Sequence, residues 1–354
     1  MASTLPSNRP LIVWLLSTCF LIWLMIMLGG ATRLTHAGLS IVEWKPITGI
    51  IPPLSHTQWI VEFEKYQQFP EYKLINQGMS LASFQFIYFM EYAHRLLGRL
   101  MGLWFMLPLL YFWKRNQLSF KLKKVAMIAL MLGLAQGIMG WYMVKSGLVN
   151  DPSVSHYRLT AHLGLAIALY GLLFWTAVEL MCAPFRSLAK IEPAILGQFA
   201  LTSCIAVCLT ILYGGLVAGL KAGLIYNTFP LMDGQFIPSE WSFYKPLWLN
   251  FFENAALVQW MHRWIAATTI VLVLYTSWKT WNLSSHEHTR KIAVLLGIAA
   301  FAQGTLGVFT LLLQVPVCLG TLHQGTAVVV LSLGLYLLYL TKPNFGLGRG
   351  SDFV

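Results

Sequence analysis

Residues 292–341 contain no Asp, Glu, Lys or Arg, and nothing else in the chain restricts its fold so severely. As one straight helix the stretch would run about 75 Å at 1.5 Å per residue, more than twice the hydrocarbon core of a bilayer. It must therefore fold back on itself. Gln314-Val315-Pro316-Val317 is the place for the reversal, because proline cannot continue the helical ladder and biases the residue before it away from helix. The rest of the chain is of the same kind: 57% of its 354 residues are hydrophobic and 10% are charged, far from the usage of a soluble domain. Apolar runs long enough to span a membrane fall at about 11–31, 84–113, 122–146, 156–180, 195–220, 256–281, 291–314 and 317–341. The expected fold is an all-α integral membrane protein of eight transmembrane helices.

Basic residues orient it. Lys114, Arg115, Lys121, Lys123 and Lys124 cluster in one short loop, and Arg186, Lys190, Lys279, Arg290 and Lys291 mark two more on the same side. By the positive-inside rule these loops face the cytoplasm, both termini lie there, and the loops 32–83 and 221–255 face outward. The net charge of +11 is thus a topology signal, with no clustered basic face for nucleic acid. The run from Leu11 is long enough to remain as a span, and no transit segment precedes it, so the expected address is a bacterial inner membrane. Cys19, Cys182, Cys204, Cys208 and Cys318 all fall within spans, which argues against an extracellular disulfide framework.

An internal repeat organises the chain. GGATRLTHAGLS (29–40) aligns with GGLVAGLKAGLI (214–225), AHRLLG (93–98) with MHRWIA (261–266), LAQGIMG (134–140) with FAQGTLG (301–307), and AHLGLA (161–166) with LHQGTA (322–327). Two pseudo-symmetric four-helix bundles are expected, 1–190 and 191–354. Each carries one histidine near the start of its second span and one near the start of its fourth: His94 and His162, then His262 and His323. Ionisable groups inside a membrane are expensive, and four at repeat-related positions point to function.

Zinc or non-haem iron would need three or four protein ligands, whereas an iron porphyrin needs only two axial donors. Paired imidazoles therefore suit haem, and Gly98, Gly102, Gly164 and Gly325 beside them offer room for a flat macrocycle, or for close helix packing. Arg95 and Arg263 follow His94 and His262 directly; Arg158 lies one turn before His162. Each is placed either to meet haem propionates or to snorkel to the headgroups. His156 is a neighbour of the site or an interface residue. The halves differ at one position: Glu91 stands three residues before His94, where Gln259 stands before His262. A relay of electrons needs no base, but a substrate that loses protons does. The first half is thus expected to hold a reacting haem and the second an electron-transfer haem.

Read together, GGATRLTHAGLSIVEWKPITGIIPPL, FPEYKL, EYAHRLLGRLMG, LTAHLGLA, MHRW, AQGTLGVFTLL and LHQGTA resemble the motifs of the heme A synthase family, in order and over nearly the whole chain. The first outer loop lacks the cysteine pair of the Gram-positive type and is similar to the proteobacterial and mitochondrial branch. Ser83-Phe84-Gln85 departs from a charged pattern expected there. The resemblance implies oxidation of a ring methyl of haem O to a formyl group, giving haem A for cytochrome oxidase. It implies haem b (iron protoporphyrin IX) as cofactor on His262 and His323, substrate haem between His94 and His162, and Glu91 as the catalytic carboxylate. A haem O synthase as supplier and cytochrome oxidase assembly factors are the implied partners; a homo-oligomer is compatible with the sequence. With both axial positions filled by histidine no site remains for dioxygen, so water is the favoured oxygen source. Two other readings stay open on the residues: a bis-haem b electron carrier between quinol and an acceptor, and a transporter whose histidines relay protons. His36 and His56 read as solvated loop residues, His286 and His288 as residues of a cytoplasmic loop, and Trp44, Trp59 and Tyr66 as an amphipathic stretch lying on the membrane and lidding the site.

Overall fold

The computed structural model describes residues 8–43, 48–147, 154–186 and 192–342, without the side chains of 183–186. Trp44 and Lys190, and the side chain of Arg186, lie outside the described residues. In chain order the helices are α1 (Arg9–Leu34), α2 (His56–Gln67), α3 (Pro70–Leu74), α4 (Leu81–Lys114), α5 (Phe120–Gly147), α6 (His156–Arg186), α7 (Ala194–Gly219), α8 (Asn250–Glu253), α9 (Ala255–Leu283), α10 (Glu287–Leu312) and α11 (Val317–Thr341). Eight of them, α1, α4 to α7 and α9 to α11, are long and apolar enough to cross a membrane, and no strand forms among the described residues.

Local chemistry explains the boundaries. Ser80 caps α4 by accepting from Ser83 N, and Asn254 caps α9 by accepting from Ala256 N and Leu257 N. Between α10 and α11 the chain reverses through Gln314 and Val315, both left-handed at φ 60° and 56°, with Pro316 opening the last helix. His36 and Lys221, aligned in the repeat, leave α1 and α7 in the same left-handed conformation at φ 54° and 52°.

In the second half α7 packs on α9, α9 on α10, α10 on α11 and α11 on α7. In the first, α1 packs on α4 and α6, and α6 on α5, while α4 and α5 scarcely touch. Contacts of α11 with α1 and α6, and of α6 with α7, join the two groups. Because lipid offers no hydrophobic drive for helix association, small residues and polar links do much of the joining. Ser203 and Thr276 bond at 2.9 Å and Thr210 and Thr269 at 2.9 Å, tying α7 to α9. Trp23 Nε1 donates to Gly325 O at 2.9 Å and Gln324 Nε2 to Ile26 O at 3.1 Å, tying α1 to α11.

One end of the bundle bears the basic turns; the other bears the long segments 35–80 and 220–254 and is called the loop end. There Trp59 and Tyr66 of α2 turn inward rather than onto a membrane surface. Trp59 sits 5.0 Å from the Tyr88 ring and Tyr66 5.2 Å from Phe84, whose side chain is fully buried. Phe84 lies between Ser83 and Gln85, the two positions where charges were expected, and is itself the centre of an aromatic plug.

Candidate functional site

Each of the four histidines rests on a neighbouring helix at a glycine, and the glycines are repeat-related. A Cβ on Gly29 would come 3.1 Å from His94 Nε2, and one on Gly214 3.3 Å from His262 Cε1. A Cβ on Gly140 would come 3.3 Å from His162 Cε1, and one on Gly307 2.7 Å from His323 Cε1. Gly29 aligns with Gly214 and Gly140 with Gly307, so both pairs use one construction. Glutamines repeat as well: Gln136 Nε2 lies 3.4 Å from His162 Nε2, and Gln303 Nε2 lies 3.1 Å from His323 Nδ1. His94 and His162 lie within electrostatic range of each other, as do His262 and His323.

Of the two readings of Gly98, Gly102, Gly164 and Gly325, room for a macrocycle or close helix packing, packing describes three. A Cβ on Gly98 would meet Met25 Cε at 3.0 Å, on Gly164 Leu212 Cδ2 at 3.2 Å, and on Gly325 Met27 Sδ at 2.8 Å. Gly102 alone of the four faces open space.

Glu91 is buried, 3% exposed, and held by three donors. Its Oε2 accepts from Ser40 Oγ and Ile41 N, both at 2.8 Å, and its Oε1 from Arg95 Nη2 at 2.6 Å. Arg95 also donates from Nη2 to Ile41 O at 2.9 Å and from Nη1 to Glu43 O at 3.4 Å. The second half repeats the clasp: Arg263 Nη2 donates to Tyr226 O and Nη1 to Thr228 O, both at 2.8 Å, while Gln259 Nε2 donates to Tyr226 O at 2.9 Å. Tyr226 is the repeat equivalent of Ile41, and Thr228 of Glu43. Each arginine thus ties the helix head bearing its histidine to the loop that follows the first helix of its half. The carboxylate adds to this an acceptor for a backbone N–H; the amide adds a donor to a carbonyl.

Arg158 stacks over the Tyr142 ring at 4.3 Å. His156 backs closely onto Gly219, its Nε2 3.4 Å from Glu253 Oε2, and Tyr157 OH donates to Glu253 Oε1 at 2.8 Å. One acidic residue escaped the sequence reading. Glu71 on α3 is 3% exposed and its Oε2 has no partner. Burial pushes its carboxyl up to about 7 against the opposing pull of Lys221, and the charge of Glu91 adds a smaller push. Of the other missed groups, Gly29, Gly140, Gly214, Gly307, Gln136 and Gln303 stand inside the aligned repeat strings; Ser40 and Glu71 lie in quoted motifs without a chemical partner in sequence.

Among the described residues no three of His, Cys, Asp or Glu gather into a metal site. A metal between two imidazoles here needs its other ligands from outside the protein, which a porphyrin's four nitrogens supply. Nδ1 of His162 and of His262 are buried without partners. That donor set, with glycines where a Cβ would displace each ring, fits haem.

A polytopic helical membrane protein with repeat-related histidine pairs inside its bundle is the class these features define. Residues 12–335 match the family model COX15-CtaA, described as Cytochrome oxidase assembly protein. The chain is 45% identical over 334 residues to the Heme A synthase of Rhodospirillum centenum, covering 94% of this chain and 88% of that one. It is 45% identical over 345 residues to the Heme A synthase of Nitrosospira multiformis (95% and 96% covered) and 42% over 337 residues to that of Wolbachia pipientis wMel (95% and 94%). The chain belongs to the COX15-CtaA family of cytochrome oxidase assembly proteins.

Proposed function

We propose that this chain is an oxidoreductase that converts a ring methyl group of haem O to a formyl group, giving haem A. One observation carries the reading: two histidine pairs share one construction, and only the first has a buried carboxylate beside it. The two pseudo-symmetric halves, 1–190 and 191–354, divide the work. Haem O as substrate lies between His94 and His162. His262 and His323 would hold haem b, which when bound supplies a one-electron acceptor inside the bundle.

The methyl carbon is oxidised twice, each time gaining a hydroxyl from water and releasing two protons and two electrons, the electrons passing to a redox acceptor outside this chain; the geminal diol loses water to the aldehyde. Glu91 is built to serve this chemistry as an anion. A carboxylate has about four acceptor positions, and Ser40, Ile41 and Arg95 take three. One position remains for a proton, and the fixed negative charge stabilises positive charge developing on the substrate. Arg95 and Arg263 tie the following loops to the helix heads that carry His94 and His262, and each is a candidate to meet a carboxylate of the haem beside it. Arg158, held on Tyr142, is a further candidate for a propionate of the substrate haem.

The basic turns support an orientation with the loop end outside a bacterial inner membrane and both termini cytoplasmic. A haem O synthase supplies the substrate, and cytochrome oxidase assembly consumes the product. Haem extraction tests the assignment. His262→Ala and His323→Ala should lose haem b and activity; His94→Ala and His162→Ala should lose haem A formation and keep haem b. Equal loss of haem b from all four variants contradicts the division of labour, and unmodified haem b as the sole product of the wild type returns the bis-haem carrier.

A further inference from the structure

The repeat makes a position-by-position comparison of the two sites possible, and the two differ on the side facing lipid. In the second half α9 lies along α10, and Ile270 presses so closely on Gly304 that a Cβ there would collide with it. Ala300, one turn further along α10, is 3% exposed. The first half has the same positions without the packing. Gly102 stands where Ile270 stands, Gly137 where Gly304 stands, and Gly133 where Ala300 stands. A Cβ on any of these three would meet nothing within 4 Å, and all three are exposed. α5 has the smallest buried share of the eight spans, 11%.

A gap between helices is not a site without something that calls for a ligand. That comes from Gln136, the residue before Gly137. Its Oε1 is buried and has no partner. In the second half the same amide oxygen, on Gln303, accepts from Thr326 Oγ1. Leu165 occupies the place of Thr326 in the first half and has nothing to donate. Nδ1 of His162 is likewise buried and unpartnered, whereas Nδ1 of His323 is engaged by Gln303. The open seam and this unmet acceptor thus lie side by side on α5.

We propose that the seam between α4 and α5 is a substrate-binding cleft, in which Gln136 accepts the hydroxyl at the root of the substrate's isoprenoid chain. The chain itself lies past Gly137 and Gly102, entering sideways from the bilayer. This rests on His94 and His162 being the substrate pair. Haem O differs from protohaem by just such a chain, an apolar tail with a hydroxyl beside the ring, and one buried unpaired acceptor at the head of an apolar gap matches both parts. The position agrees: Gly137 lies one helical turn, about 5 Å, from the glycine that seats His162, and Gly102 about 12 Å along α4 from His94. The second half needs no such entrance if its occupant stays.

The test measures binding rather than turnover. Purified protein carrying its resident haem is titrated with haem O and with protohaem, which lacks the chain, and followed by absorbance. Wild type should prefer haem O. Gly102→Ile, which copies Ile270, should lower haem O affinity about tenfold or more, corresponding to about 1.4 kcal/mol, and leave protohaem unchanged. Gln136→Leu should lower it about fivefold, as expected for one hydrogen bond. Gly137→Val serves as a second way of filling the seam, and an unchanged resident haem spectrum reports intact folding. A wild-type preference for haem O in both filled variants overturns the cleft, as does the absence of any preference in the wild type. His94→Ala separates the two ideas: undiminished binding of both porphyrins there refutes the substrate pair, while loss of both there with no effect of filling refutes only the cleft.

Discussion

Glu91→Gln asks whether the carboxylate is chemistry or carpentry. The amide keeps one oxygen to accept from Ser40 and Ile41, but it turns an NH2 toward Arg95, whose side chain is only 12% exposed. One charge-assisted bond of 2.6 Å is lost, worth about 1.5–3 kcal/mol. Part returns, because the new NH2 lies near Ile41 O and can copy the bond that Gln259 makes to Tyr226 O. The net cost at the loop end is therefore about 1–2 kcal/mol, too little to unfold the chain or expel haem b. If Glu91 takes protons or stabilises charge on the substrate, haem A formation should nonetheless fall about 10²–10⁴-fold. The assay is chromatography of extracted haems from cells that also express a haem O synthase. The variant should hold haem O, with some of the singly oxidised alcohol, beside normal haem b. Wild-type haem A would refute the reasoning and leave Glu91 as a clasp for the loop.

Ser40→Ala removes one of three donors and should lower haem A by a smaller factor than Glu91→Gln, measured in the same extracts. Among the seats, Gly307→Ala should be the most damaging, since its Cβ would stand 2.7 Å from His323 Cε1 against 3.3 Å for Gly140 and His162; overpacking of this kind costs about 1–3 kcal/mol and should shift the haem b spectrum. Glu71 predicts a pH effect: its carboxyl is moved from an ordinary 4.5 to about 7, so the folded loop end binds the proton more tightly than the unfolded chain. Its stability should then fall as pH rises from about 4.5 through 7, by about 3 kcal/mol in all, and Glu71→Gln should abolish that slope in limited proteolysis of the 35–80 segment.

The spans, the reversal at Pro316 and the histidine positions were legible because each is a property of the chain itself: a length of apolar run, a missing N–H, a repeated string. What faces each glycine was not. Helices apolar all round carry no polar stripe to reveal their rotation, so sequence left Gly98, Gly164 and Gly325 open between macrocycle room and helix packing, where Met25, Leu212 and Met27 in fact pack. The clasp was hidden for another reason: Arg95 and Arg263 bond to main-chain carbonyls of Ile41, Glu43, Tyr226 and Thr228, groups every residue has. Glu71 carries no sign of burial in sequence; the aromatic plug around α2 and α3 buries it.

The paired glycines on α1 and α7 each serve two masters. Gly29 bears on His94, while Gly30 bears on Gln324, the neighbour of His323; Gly214 bears on His262, while Gly215 bears on Thr160, two residues from His162. Each of these helices is thus a shared bearing, turned on one side against an imidazole of its own half and on the other against the mounting of an imidazole in the opposite half. A small shift of α1 therefore disturbs both the seat of His94 and the packing beside His323, and a shift of α7 does the same to the seat of His262 and the packing beside His162. If the two pairs hold iron porphyrins as proposed, substitutions that adjust the grip on one should register in the spectrum of the other.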